Sequence, residues 1–309
     1  MSVSILVPFR ANSTRDPRIK SWDWLRERWV HIMPEAEIVE GTDTGGQPFS
    51  KSVAVNDAYA KSTGDILVIA DADSWVERPQ LLTGIAAAER KEHLVIPWMK
   101  SWRLSEKDSK HIMALSPGTK RVVTNEMKAR VEGSGPAPDS CAMVLVIQRQ
   151  AFERVGGFDP RFRGWGSEDV SFGLSCWTLL GRNEFVIGEA YALYHHRPNA
   201  KIDIPSEPDE KEIRVWHKDE GGRNFPLWHR YKAAQGYPEK MIPLAAEHGL
   251  PGKPVGLSPT WNADEMEFLE GPGAQYRSAN LPLPDQTYYG GETVREVQGP
   301  MDGTVRVEI

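Results

Sequence analysis

The chain has 309 residues, enough for one large α/β domain with an appendage or for two modest domains. With 40% hydrophobic and 26% charged residues it is an ordinary globular protein, and 37 basic against 43 acidic side chains, net −6, exclude a general polyanion binder. Cys141 and Cys176 lack metal or disulfide spacing, which fits a reducing, cytoplasmic setting, and no run approaches the ~18 apolar residues of a membrane span or has the flanks of a signal peptide.

Residues 3–7 are a short apolar run ended by Pro8, the pattern of a buried parallel strand. Apolar positions near helical spacing over 17–33 predict a helix, and 37–40 a second strand. A helix over 50–61 ends at Gly64, and 65–70 (DILVIA) is a third buried strand that runs directly into Asp71-Ala72-Asp73. A helix near 80–91 and a strand at 93–97 follow. Residues 98–135 lose periodicity and gather charge, as in an acceptor-side insertion. Eleven tryptophans are many for this length, and WMKSWR at 98–103 hints at exposed aromatic platforms, although most of the rings belong to the core. Order returns with a strand at 141–147, a helix over 149–155, the turn Gly156-Gly157-Phe158-Asp159-Pro160, a helix over 169–180 and strands at 184–187 and 191–196. Strands alternating with helices predict an α/β fold whose mostly parallel sheet is flanked by helices. The expected division is a domain over 1–200 and an accessory extension over 201–309, helical in pieces over 213–249 and then Pro/Gly-rich, with a hairpin around Asp302-Gly303.

Three constellations carry chemistry. Asp71 and Asp73 end a buried strand, where ligands of open α/β sheets bind, and two carboxylates so close call for a hard cation. The same pair can also cap the next helix. Gly164-Trp165-Gly166-Ser167-Glu168-Asp169 opens a helix; its glycines let a sugar-stacking ring and two acids share one loop, while the plainer alternative is an N-cap with favourable dipole charge. Tyr194-His195-His196-Arg197-Pro198 ends the last strand, where alternation lets one histidine point into a site, or neither.

SILVPFR, EIVEG, FSKSVAVNDAYAKSTGDILVIADADS, AFERVGGFDPRFRGWGSEDVSFGL and YHHRP resemble, in this order from residue 3 to about 198, glycosyltransferase family 2 and the galactosyltransferase C-terminal-type enzymes of the GT-A fold. The resemblance implies that Pro8, Phe9 and Arg10 line a nucleotide pocket, that Glu40 faces the base, that Lys51 and Asn56 lie near base and diphosphate, and that Asp71 approaches the ribose. It implies that Asp73 binds Mn2+ or Mg2+ with His196, or His195 as alternate, and that Trp165 and Gly166 contact sugar or acceptor. Asp169 becomes the expected general base and Glu168 its neighbour or substitute. Glu40-Gly41 replaces the family's frequent Asp-Asp, and Asn56-Asp57 lacks its usual following glycine; uracil is the leading base.

The expected activity is therefore a metal-dependent, inverting transfer of a sugar from a nucleoside diphosphate, UDP favoured, to a glycan, protein, lipid or modified nucleic acid. A sugar nucleotidylyltransferase would instead carry a glycine-rich loop after the first strand, which PFRANSTRDP is not. A carbohydrate-binding protein using Trp98, Trp102 and Trp165 would have no need of Asp73, Asp169 and His196 together.

Overall fold

The computed structural model describes residues 1–11, 13–45, 48–131, 133–134, 142–164, 166–194 and 224–262, with four further short strands in the last 25 residues. The expected βαβ start is present as β1 (Val3–Pro8), α1 (Arg18–Ile32) and β2 (Glu37–Gly41), followed by α2 (Lys51–Lys61) and β3 (Ile66–Ala70). β1 and β3 are buried along their whole length, as their unbroken apolar runs require in a sheet covered on both faces. β4 (Ser74–Val76), α3 (Arg78–Arg90) and β5 (Val95–Ile96) come next.

The insertion after β5 is ordered: β6 (Lys100–Arg103), α4 (Glu106–Met113), α5 (Asn125–Ala129) and β7 (Gly133–Ser134). Ser105 and Thr124 start the two helices by accepting hydrogen bonds from the Asp108 and Met127 N–H groups. Helix α1 anchors the stretch between them. Trp24 Nε1 donates to Leu115 O at 3.0 Å. Arg28, only 3% exposed, donates to the carbonyls of Pro117 and Thr119 and to Glu77. The expected aromatic platform is not there: Trp98 is 2% exposed and part of the core. The half-buried Trp102 donates to Glu189 at 2.8 Å and lies under the Lys100 ammonium.

β8 (Val144–Gln148), α6 (Arg149–Arg154), α7 (Glu168–Leu180), β9 (Glu184–Phe185) and β10 (Glu189–Ala192) complete two sheets. The larger has the order β2-β1-β3-β8-β5-β9 and the smaller β4-β10-β6-β7. β8 runs antiparallel to both neighbours, a departure from the simple alternation read in the sequence. The insertion brings the chain back to the far end of the sheet, so β8 enters beside the end of β3 and pairs Val144 with Ala70.

Two helices beyond residue 200 pack on the same core: α8 (Phe225–Ala234) and α9 (Pro238–Ala246). Tyr231, Met241 and Leu244 join its cluster, and Trp261 Nε1 donates to Thr178 O in α7. β11 (Thr287–Tyr288) pairs with β12 (Glu292–Thr293), and β13 (Arg295–Gln298) pairs antiparallel with β14 (Val305–Glu308), the strands of the hairpin expected around Asp302-Gly303. Among the described residues no helix is long and apolar enough to cross a membrane.

The edge of the larger sheet depends on how closely α2 lies on β2. A Cβ on Gly41 would come within 1.9 Å of Ala54 O and 2.5 Å of Ala58 N. Gly41→Ala is expected to lower unfolding free energy by about 3 kcal/mol, the upper range of overpacking costs, measured by urea titration.

Candidate active site

Helix α2 starts with a lysine, which the positive end of the helix dipole disfavours. Its ammonium is held by acids from two distant segments: Lys51 Nζ is 2.6 Å from Asp71 Oδ1 and 2.8 Å from Asp169 Oδ1. Asp71 follows β3 and Asp169 is in the first turn of α7, so the end of the central strand and two helix N-termini meet at one point. Burial alone would lower the Lys51 pKa, but Asp169, Asp71 and Glu168 outweigh it and keep the ammonium charged well above its ordinary value. For Asp169 and Glu168 burial dominates over the pull of Lys51, and both are raised.

Asp71 is also fixed by the backbone. Its N–H donates to Met143 O at 2.8 Å, and Met143 N–H returns a bond to Asp71 Oδ2 at 3.2 Å. Asp71-Ala72-Asp73 closes a turn through Ser74 N–H to Asp71 O, and α3 is capped at Glu77, so the acid pair is not a helix cap. Asp73 accepts from Ser74 Oγ, and its carbonyl accepts from Leu193 N–H at 2.8 Å. This bond brings the chain after β10 to the Asp-x-Asp corner. His195 and His196 follow Leu193 by two and three positions; they and Trp165 lie outside the described residues.

The loop before α7 is strained. Gly164, Gly166 and Ser167 all have positive φ, and Met143 and Ser167 are two of the three non-glycine residues in that state among the described residues. Ser167 is at the N-cap position without a side-chain cap bond, and Glu168 and Asp169 lie in the first turn, so the dipole part of the plainer alternative holds and its capping bond does not. The 48–50 loop braces this segment: Gly164 N–H donates to Phe49 O at 2.8 Å and Ser50 Oγ to Phe162 O at 2.7 Å.

Pro8 ends β1; the Phe9 N–H bonds to Gly41 O and its ring lies 6.3 Å from Trp22. Arg10 Nη1 donates to Asp43 O at 2.7 Å, and its guanidinium lies over Phe49. Glu40 and Asn56, expected near the base and diphosphate, each have partners within the chain. Glu40 sits on the exposed edge of β2 facing Arg26 at 3.5 Å, because β2 has a neighbour on one side alone. Asn56 spends its amide on Phe158, donating to its carbonyl at 2.7 Å and accepting its N–H at 3.0 Å, and so clamps the Gly156-Gly157 turn.

The buried acid on this side is Asp43, 1% exposed, which the sequence reading passed over. It accepts from Gly45 and Ser50 N–H and from Arg163 Nη1. Burial would raise its pKa, but these bonds, Arg163 and Arg10 hold it below the usual carboxylate range. Its Asp-Thr-Gly-Gly setting was a readable turn signal.

Residues 129–196 match the model of the family described as the N-terminal domain of galactosyltransferase. The central sheet flanked by helices is the α/β fold class expected from the sequence. A protein named as a polypeptide N-acetylgalactosaminyltransferase in Drosophila melanogaster is 25% identical over 38% of this chain. The match spans about a quarter of that relative's length, 24%. Among solved structures, a Drosophila β1,4-galactosyltransferase 7 mutant complexed with manganese, UDP-Gal and xylobiose is 15% identical, covering 69% of this chain and 78% of its own, with a TM-score of 0.41. A mannosyltransferase of Pyrobaculum calidifontis with GDP-Man and Mn2+ is 18% identical, covering 80% and 73%, with a TM-score of 0.40.

In this site three acids, Asp71, Glu168 and Asp169, act on one ammonium. Glu168 Oε2 is buried with no hydrogen-bond partner among the described residues. The excess negative charge and free oxygen lone pairs fit a hard divalent cation, although no group of three His, Cys, Asp or Glu is placed to hold one among the described residues.

Asp43 has a depressed folded pKa, so its contribution is present above the unfolded value of about 3.9 and is lost as pH falls below it. Asp43→Asn is expected to cost about 2 kcal/mol at pH 7, as for a hydrogen bond to a charged group, with the gap to wild type closing below about pH 3, read from urea midpoints across the pH series.

Proposed function

We propose that the protein is a metal-dependent, inverting glycosyltransferase that moves a sugar from a nucleoside diphosphate, UDP favoured, to an acceptor hydroxyl. The observation that carries this reading is the meeting of Asp71, Lys51 and Asp169 beyond the end of β3. An open α/β sheet binds ligands at that end, and two helix N-termini with a lysine between them suit a diphosphate.

Asp169 is the base. Burial raises its proton affinity toward that of a base working near neutrality. It takes the proton of the acceptor hydroxyl as that oxygen bonds to the anomeric carbon; the carbon–oxygen bond to the diphosphate breaks, its electron pair leaves with the diphosphate, and the anomeric centre inverts. Lys51 holds Asp169 in place and presents the ammonium nearest the leaving group. Asp71 faces the ribose, Arg10 and Asp43 form the wall toward the base, and Trp165 with Gly166 receives the acceptor. Asp73, with His196 or His195, would hold Mn2+ or Mg2+, which supplies charge neutralisation for the diphosphate.

The galactosyltransferase match over 129–196 and the N-acetylgalactosaminyltransferase relative support galactose and N-acetylgalactosamine as the first sugars to test.

UDP, GDP and CMP are to be titrated calorimetrically with and without Mn2+. UDP binding that requires both Mn2+ and Asp73, and disappears in Asp73→Ala, is the expected result; binding indifferent to the metal, or none to any nucleotide, would overturn the donor assignment. For the chemical step, Asp169→Asn is expected to lower kcat by about 10²–10⁴, as for loss of a general base. Full turnover in that variant would remove Asp169 from the role.

A further inference from the structure

Asn224 immediately precedes α8, far in sequence from every motif, and is 2% exposed. Its side chain makes three hydrogen bonds, all to the loop before α7. Nδ2 donates to Arg163 O at 3.1 Å and to Gly166 O at 2.9 Å, and Oδ1 accepts from Arg163 N–H at 3.3 Å. We infer that Asn224 is a positioning residue for catalysis, a clamp from the C-terminal segment that holds the 163–167 loop and thereby sets Asp169 against Lys51. The inference rests on the proposed transferase reading for its catalytic meaning.

The loop needs such a clamp. Gly164, Gly166 and Ser167 occupy the left-handed region in near succession, and a non-glycine residue there is held only when its surroundings over-determine it. Asn224 binds the carbonyls of Arg163 and Gly166, on either side of Trp165, so both ends of the three-residue arc 164–166 are tied to one amide. Asp169 stands three residues past Gly166, inside the first turn of α7. A drift of the loop turns that N-terminus and moves the Asp169 carboxylate from the Lys51 ammonium. Asn224 is itself immobile: its carbonyl accepts the Trp228 N–H that starts α8, and one turn further Tyr231, 1% exposed, donates to Asp159 Oδ2 at 2.9 Å.

Only an amide serves here. Asn224→Ala removes all three bonds, and Asn224→Asp keeps an acceptor for the Arg163 N–H but sets an anion against two carbonyl oxygens. Tyr231→Phe is the control: it removes the bonds to Asp159 and His248 from the same helix and keeps the ring that lies 6.0 Å from Phe162 beside the loop.

The test compares hydrogen exchange over 163–170 and over β3 in the full chain. It adds UDP/Mn2+ affinity and hydrolysis of UDP-galactose with water as acceptor. In Asn224→Ala the loop amides are expected to exchange about tenfold faster with β3 unchanged. The kcat should fall about tenfold to a hundredfold while UDP affinity and donor KM stay within about twofold, the signature of misplaced chemistry rather than lost binding. Tyr231→Phe should lower the melting temperature and leave loop exchange and kcat unchanged. Wild-type loop exchange or wild-type kcat in Asn224→Ala would overturn the inference. Absence of UDP binding and of donor hydrolysis in the wild type would instead defeat the transferase reading, and the exchange data would still decide whether Asn224 holds the loop.

Discussion

The ammonium of Lys51 is the point on which the site is built. A lysine at the first position of a helix works against the helix dipole, and one removed from water needs charge partners to stay ionised. Both demands are met by acids that have nothing to do with α2: Asp71 arrives on β3 and Asp169 on α7, more than a hundred residues later. Removing Lys51 leaves Asp71 and Asp169 facing each other uncompensated, so the relative placement of the strand and the two helices is enforced electrostatically. The apolar core could not supply this, since burial is indifferent to which side chain stands at the end of a strand.

Around this triad the backbone takes conformations that it avoids elsewhere. Met143 and Ser167 have positive φ, and each adjoins one of the acids, Met143 through its paired bonds with Asp71 and Ser167 two positions before Asp169. Strain of this kind persists only where neighbours fix it, and they do so from several directions: Ser50 and Phe49 from one side of the loop, Asn224 from the other. Residues 225–250 are accordingly part of the site's foundation, with Tyr231 and Met241 in the same core as the central strands.

What could be read from the sequence divides along physical lines. β1, β3 and β8 were legible because strands buried on both faces are unbroken apolar runs, and α1, α2 and α7 because their spacing is helical. β4, β6, α4 and α5 were not: they are three to eight residues long and carry as much charge as a loop. The direction of β8 was invisible because it depends on where the preceding insertion returns, not on the strand's composition. Lys51, Asp71 and Asp169 were each singled out, yet their mutual pairing was not, since no periodicity links positions so far apart. Glu40 was expected to face the base from a resemblance that aligned the strand end; it lies on the open edge of β2, and the next turn buries Asp43 against Arg10. Asn224 had no local signal at all.

Charge sets the order in which such a site can be filled. Asp71, Glu168 and Asp169 together exceed the single positive charge of Lys51, and the N-termini of α2 and α7 add only about half a charge each at close range. A diphosphate entering alone would therefore meet a pocket with no surplus of positive potential, and would have to displace Lys51 from two short ion pairs to gain a partner. Under the proposed function Asp73 would hold a divalent ion that supplies the missing positive charge, and Lys51 would turn from Asp71 toward the phosphates and keep Asp169. Asp169 then remains paired at the moment it must accept a proton, and its basicity is set by how much of Lys51 the donor takes. Coupling the base to donor occupancy in this way would restrain proton transfer until the leaving group is in place.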